Sequence, residues 1–188
     1  MRDQKARGII AVARDIFARH GYRRVNMKEI AEAAGISRPG LYLYFKTKEE
    51  VFSAAVAQLA EDAIGRIQSG LPRQNTAEDK LLYAFEIFAV EIFDLTLQSP
   101  EAKELSECSF EFARTALDEG YRQFEAVLCA ILKAHAKSRG SRLVPPAERM
   151  AHLMGSAVRG FKLEARNAGE LRGMIRDLIK MTGVAESR

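Results

Sequence analysis

The chain has 188 residues, 47% apolar and 29% charged, with a formal net charge of +4, which is enough apolar material for a core and enough charge for solubility. No apolar run approaches the roughly 18 residues of a membrane span, and the opening MRDQKARG lacks the apolar stretch of a secretory signal, so a cytoplasmic protein with no membrane partner is expected. His20, His135 and His152 make no metal-like spacing and no nucleophile sits in a recognisable constellation; no enzyme, metal or cofactor is expected.

Charge is unevenly placed. Residues 1–50 carry 11 Lys/Arg against 6 Asp/Glu, whereas residues 76–125 carry 4 against 12. A basic opening block favours an anionic partner such as nucleic acid.

The periodicity is helical almost throughout, and an all-α fold of about nine helices is expected. Ile9, Ile10, Val12, Ala13, Ile16 and Phe17 mark a first helix that stops near Gly21. Asn26 reads as an N-cap, with Glu29 placed for a capping box, and Met27, Ile30, Ala31 and Ala34 form the buried face of a short helix ended by Gly35. Ser37 caps the next helix, Pro39 sits in its first turn, and Leu41 and Phe45 face inward before Lys46-Thr47 breaks it. A longer helix runs from about Lys48 to Ser69, followed by the linker SGLPRQN. Thr76 caps a helix to about Gln98, Pro100 opens a short one, and a long one follows from about Cys108 to Ser138. After the loop 139–146, two helices close the chain at about 146–167 and 169–182. Cys108 and Cys129, 21 residues apart on that long helix, would lie roughly 30 Å from each other at about 1.5 Å per residue, too far for a disulfide. They read as buried thiols.

Two short helices joined at Gly35-Ile36-Ser37 form a helix-turn-helix, about residues 27–46. Ala31 and Ala34 permit a close crossing, and Gly35 supplies a residue tolerant of positive φ. The stretch RVNMKEIAEAAGISRPGLYLYFKTKEEVF, with ARDIFARHGY upstream, resembles the DNA-binding domain of the tetracycline-repressor (TetR) family of bacterial regulators. The resemblance covers about 60 residues and implies a three-helix N-terminal head, residues 4–64, with an effector-binding and dimerisation body, residues 65–188. Position by position it implies that Lys28 reaches a base or phosphate, that Arg38, Pro39, Gly40 and Leu43 face bases, and that Tyr42, Tyr44 and Lys48 hold the backbone. Ser37, Lys46 and Thr47 complete the expected DNA-binding set. Gly40 and Leu43 depart from the family's usual residues and weaken direct readout, leaving Arg38 as the candidate for a guanine contact.

The family resemblance further implies a pocket for a small-molecule effector in the body. Phe85, Phe88, Phe110, Phe112 and Phe124 are its candidate walls, although each ring alone also suits an ordinary core. Asp79, Glu86, Glu91 and Asp94 fall on one side of their helix, opposite Leu81, Phe85, Phe88 and Ile92, and read as a solvated face. In the last two helices Ala147, Ala151 and Gly155 form a small-residue stripe. With Met154, Val158, Met174 and Leu178 they make the expected homodimer interface, since the family pairs these helices into a four-helix bundle. The expected function is a repressor released from a palindromic DNA operator by an effector. The alternatives are an activator or an effector-independent architectural DNA binder.

Overall fold

Capping chemistry sets the first breaks in the chain. The computed structural model describes residues 2–99, 101, 103, 104 and 110–184, and these are helices and their connections, with no strand among the described residues. Helix α1 (Arg2–His20) stops where Gly21 takes φ +76°, a left-handed conformation that favours glycine. Helix α2 (Met27–Ala33) starts under a complete capping box: Asn26 Oδ1 accepts from the amides of Lys28 and Glu29, and Glu29 Oε2 accepts from the Asn26 amide. It ends at Gly35, φ +66°, where the Ile36 amide reaches back to the Ala31 carbonyl at 3.0 Å, satisfying an acceptor the helix end would otherwise leave open.

Helix α3 (Arg38–Tyr42) is short, and α4 (Lys48–Gly70) is long. A 3-10 turn, Leu71–Arg73, occupies the expected linker. Thr76 caps α5 (Ala77–Phe85) in a capping box with Asp79. A π turn, Glu86–Val90, then runs directly into α6 (Glu91–Gln98). Helix α7 spans Glu111–Arg139, α8 spans Ala147–Glu164, and α9 spans Ala168–Met181 under an Asn167 cap. Because α5 and α6 are one rod broken by the π turn, these nine α-helical segments make eight rods among the described residues. Pro100 and Cys108, expected to open helices, lie outside the described residues.

The chain divides into two compact units: residues 1–61 with 95–120, and residues 62–94 with 121–188. The first unit is built around Phe17, Ile30, Leu41 and Phe52, each 0% exposed, and full burial of such a side chain contributes roughly 1.5–3 kcal/mol. Its aromatic centre is Tyr22, whose ring lies 5.1 Å from Phe52 and 4.7 Å from Phe110. Phe110 and Phe112 come from far along the chain, yet both pack on Tyr22 and Phe52. The Tyr22 amide also donates to Glu104 Oε2 at 2.6 Å, and Ser99 Oγ donates to the Ala18 carbonyl.

In the second unit Phe88 stacks on Phe124 at 4.1 Å between centroids, and Phe85 meets Phe124 edge-on at 5.1 Å. The π turn buries four consecutive residues, Ile87 to Val90, all at 5% exposure or less. A regular helix would turn one of four successive residues outward at about 100° per residue. Cys129 is half-buried and unpaired with another cysteine, a less buried position than the sequence suggests. The expected solvated acidic face is in fact engaged: Glu86 takes a bidentate bond from Arg172, and Glu91 another from Arg66.

Candidate nucleic-acid interface

The exposed face of the α3 segment is set by two hydroxyl caps. Ser37 Oγ accepts from the Gly40 amide at 3.1 Å and starts α3, while Thr47 Oγ1 accepts from the Glu50 amide at 3.2 Å and starts α4. Glu50 Oε2 returns to the Lys46 amide at 2.6 Å, fixing the short connection from below. Beyond Tyr42 the chain keeps helical turns, with the amides of Tyr44 and Phe45 both bonded to the Leu41 carbonyl. Leu41, 0% exposed, anchors this segment, and Tyr42, Tyr44 and Phe45 lie half-buried against the same core.

Anchoring by Leu41 presents the other side of the segment. Arg38, Pro39, Leu43 and Lys46 are all exposed, Leu43 at 69%. Arg38 is organised by Tyr42: its guanidinium carbon lies 5.7 Å from the ring centroid, and Nη2 lies 3.4 Å from the hydroxyl. Lys46 Nζ lies 3.5 Å from the Tyr42 carbonyl, a long contact easily exchanged for a stronger one. Lys28, on α2, is 3.7 Å from Glu32 with both side chains largely exposed, a weakly held pair.

Lys48 is placed differently from expectation. Its ammonium bonds the carbonyls of Tyr22 and Val25, each at 2.8 Å, and sits 4.1 Å from the centre of the Tyr22 ring. It ties the start of α4 to the α1–α2 connection, so two of its three donors are committed within the chain. Ser37 and Thr47, although exposed, likewise spend their hydroxyls as caps.

Sequence reasoning missed Tyr22. Its hydroxyl donates to Glu49 Oε1 at 2.6 Å; burial first, and then that carboxylate, push the phenol above its ordinary range, while the bond from Tyr22 lowers the Glu49 carboxyl. The signal available was its place directly after the capping Gly21. Arg23 and Arg24, beside it, are exposed and basic.

The remaining candidates separate by unit. Phe85, Phe88 and Phe124 pack together in the second unit, whereas Phe110 and Phe112 belong to the Tyr22 cluster of the first. Phe85 borders a cleft of about 320 Å³ with Gln74, Tyr83, Arg172 and Arg176. Of the interface candidates, Ala151 at 1%, Met154 at 1%, Val158 at 0% and the buried Gly155 are inside the protomer; a Cβ at Gly155 would come within 2.8 Å of Glu125 Oε1. Their surface is already used in the protomer's own core. Met174 and Leu178 are only half-buried; with Met181, 85% exposed, they recur at i, i+4 and i+7, flanking the buried Leu171, Ile175 and Ile179 on one side.

Residues 9–55 match the model of bacterial regulatory proteins of the tetR family. The chain is 29% identical over 87 residues to the HTH-type transcriptional activator FasR of Mycolicibacterium smegmatis, covering 46% of this chain and 40% of that protein. It is 26% identical over 125 residues to the HTH-type transcriptional repressor KstR2 of the same organism, covering 64% and 61%. These matches span less than two thirds of either relative. The fold as a whole is similar to that of a transcriptional regulator FadR from Bacillus subtilis solved in complex with stearoyl-CoA, with a TM-score of 0.67 at 18% identity, covering 96% of this chain and 98% of that one. The capped helix-turn-helix and the matched model thus agree on a domain of the tetR type over residues 9–55, and the fold as a whole is similar to that of the FadR regulator.

Proposed function

We propose that the protein is a cytoplasmic, homodimeric transcriptional repressor that leaves a palindromic operator when a small molecule binds its body. The observation that carries this reading is the exposed row Arg38, Pro39, Leu43 and Lys46 on a segment held from below by Leu41 and lying between the hydroxyl caps that start α3 and α4. Cations with a rigid short helix between them suit a major groove, where phosphate contacts position and base contacts specify. The functional division follows the expected head, residues 4–64, and body, residues 65–188. Two-fold symmetry suits half-sites spaced by the helical repeat, and the outward stripe Met174, Leu178 and Met181 supplies apolar surface for a partner protomer. The regulator solved with stearoyl-CoA makes acyl thioesters the first effectors to screen.

Regulation is a coupling between two sites. An effector that favours the spacing of reading heads unsuited to the operator weakens DNA binding, and the operator weakens effector binding by the same factor. Helix α4, with residues in both units, is the proposed transmitter. Selection from random duplex DNA tests the whole reading. A palindromic consensus, lost in the Arg38→Ala/Tyr44→Ala double variant, is expected; weak binding indifferent to sequence and fading with salt overturns it in favour of an architectural role. The name of the FasR relative supports activation as the second reading, and a reporter carrying the selected operator separates the two.

A further inference from the structure

Pro39 and Leu43 stand four residues apart on the reading segment, and both are exposed, Leu43 at 69%. Leu43 still has helical dihedrals, φ −71° and ψ −21°, so the pair shares one face. Between them Gly40 adds no side chain, and its amide is tied to Ser37 Oγ. The result is an apolar patch facing away from the Leu41 anchor, with the cations Arg38 and Lys46 at its two ends. A large apolar side chain kept in water contributes nothing to the core, and its charged flanks require an anionic partner rather than an apolar protein surface.

The inference rests on the reading that this segment enters the major groove. There the base edges present hydrogen-bond donors, acceptors and a single apolar group, the C5 methyl of thymine. We propose that the Pro39–Leu43 patch reads thymine, with Leu43 covering one thymine methyl in each half-site. Leu43 is then not a lost polar reader. It is a specificity-determining residue of a different kind, and the missing side chain at Gly40 lets the backbone come close enough for it to act.

The test uses the full-length protein and the duplex recovered by random-sequence selection. Each thymine of a half-site is replaced in turn by deoxyuridine, which removes only the methyl. One position per half-site is expected to lose about fourfold in affinity, the worth of one buried methyl, and about 15-fold when both half-sites are changed. Leu43→Ser and Leu43→Ala, both at an exposed position, are expected to bind the thymine and uracil duplexes alike. A selective operator indifferent to every such replacement overturns this proposal alone, as does a methyl effect that persists undiminished in both variants. Failure to recover any selective duplex overturns it together with the operator reading beneath it.

Discussion

Tyr22 Oη donates a 2.6 Å hydrogen bond to Glu49 Oε1, while Lys48, one residue earlier, lies over the same ring at 4.1 Å. The start of α4 is thus pinned to the α1–α2 connection by one aromatic side chain. Tyr22→Phe keeps the ring and removes the bond, and is expected to lower stability by about 1 kcal/mol at neutral pH, read by urea unfolding. The Glu49 carboxyl is held below its ordinary value. Its contribution is therefore complete above the unfolded pKa of about 4.3 and disappears as pH falls through the lower folded value. The phenol is raised, so its contribution is complete below about pH 10 and is lost only as pH rises through the higher folded value. The gap between wild type and Tyr22→Phe should close at the acid end; a constant gap down to pH 3 refutes the assignment.

Gly35 and Gly65 make a matched pair. Nothing lies within 4 Å of a Cβ built at either, but Gly35 has φ +66° and Gly65 is inside α4. Gly35→Ala is expected to destabilise by about 1–2 kcal/mol through backbone strain alone. Gly65→Ala is expected to stabilise by about 0.5–1 kcal/mol. Thermal unfolding of the two variants, shifting in opposite directions, checks both.

Arg38 and Lys46 should separate in binding assays. Arg38→Ala is expected to cost about 1–3 kcal/mol per half-site and to relax preference at one base pair. Lys46→Ala should weaken all duplexes equally and lower the salt slope by about 1 per half-site. Titrations at several salt concentrations on selected and scrambled duplexes distinguish the two patterns.

The outward stripe on α9 predicts the oligomeric state. Met174→Glu/Leu178→Glu introduces charge on half-buried positions at the edge of the protomer's buried face. It is expected to yield a folded monomer by sedimentation, with unchanged helicity and operator affinity reduced by at least about tenfold through loss of bivalent engagement. A variant that still sediments as a dimer removes α9 from the interface.

Local chemistry was legible from the sequence because each signal acts over a few residues. The capping box of Asn26 with Glu29, the caps at Ser37 and Thr76, and the positive φ of Gly21 and Gly35 are all settled by short-range hydrogen bonds and the absence of a Cβ. The buried face of Leu41 also followed from helical spacing. What the sequence alone determined is an all-α chain opening with a capped helix-turn-helix. Tertiary structure alone decided where the distant pieces go. Phe110 and Phe112 pack on Tyr22, Lys48 turned to two carbonyls, Glu86 found Arg172, and the small stripe on α8 closed on its own protomer. Those choices depend on apolar area and charge meeting across many residues of chain. Periodicity identifies the face a helix buries, but only packing selects its partner.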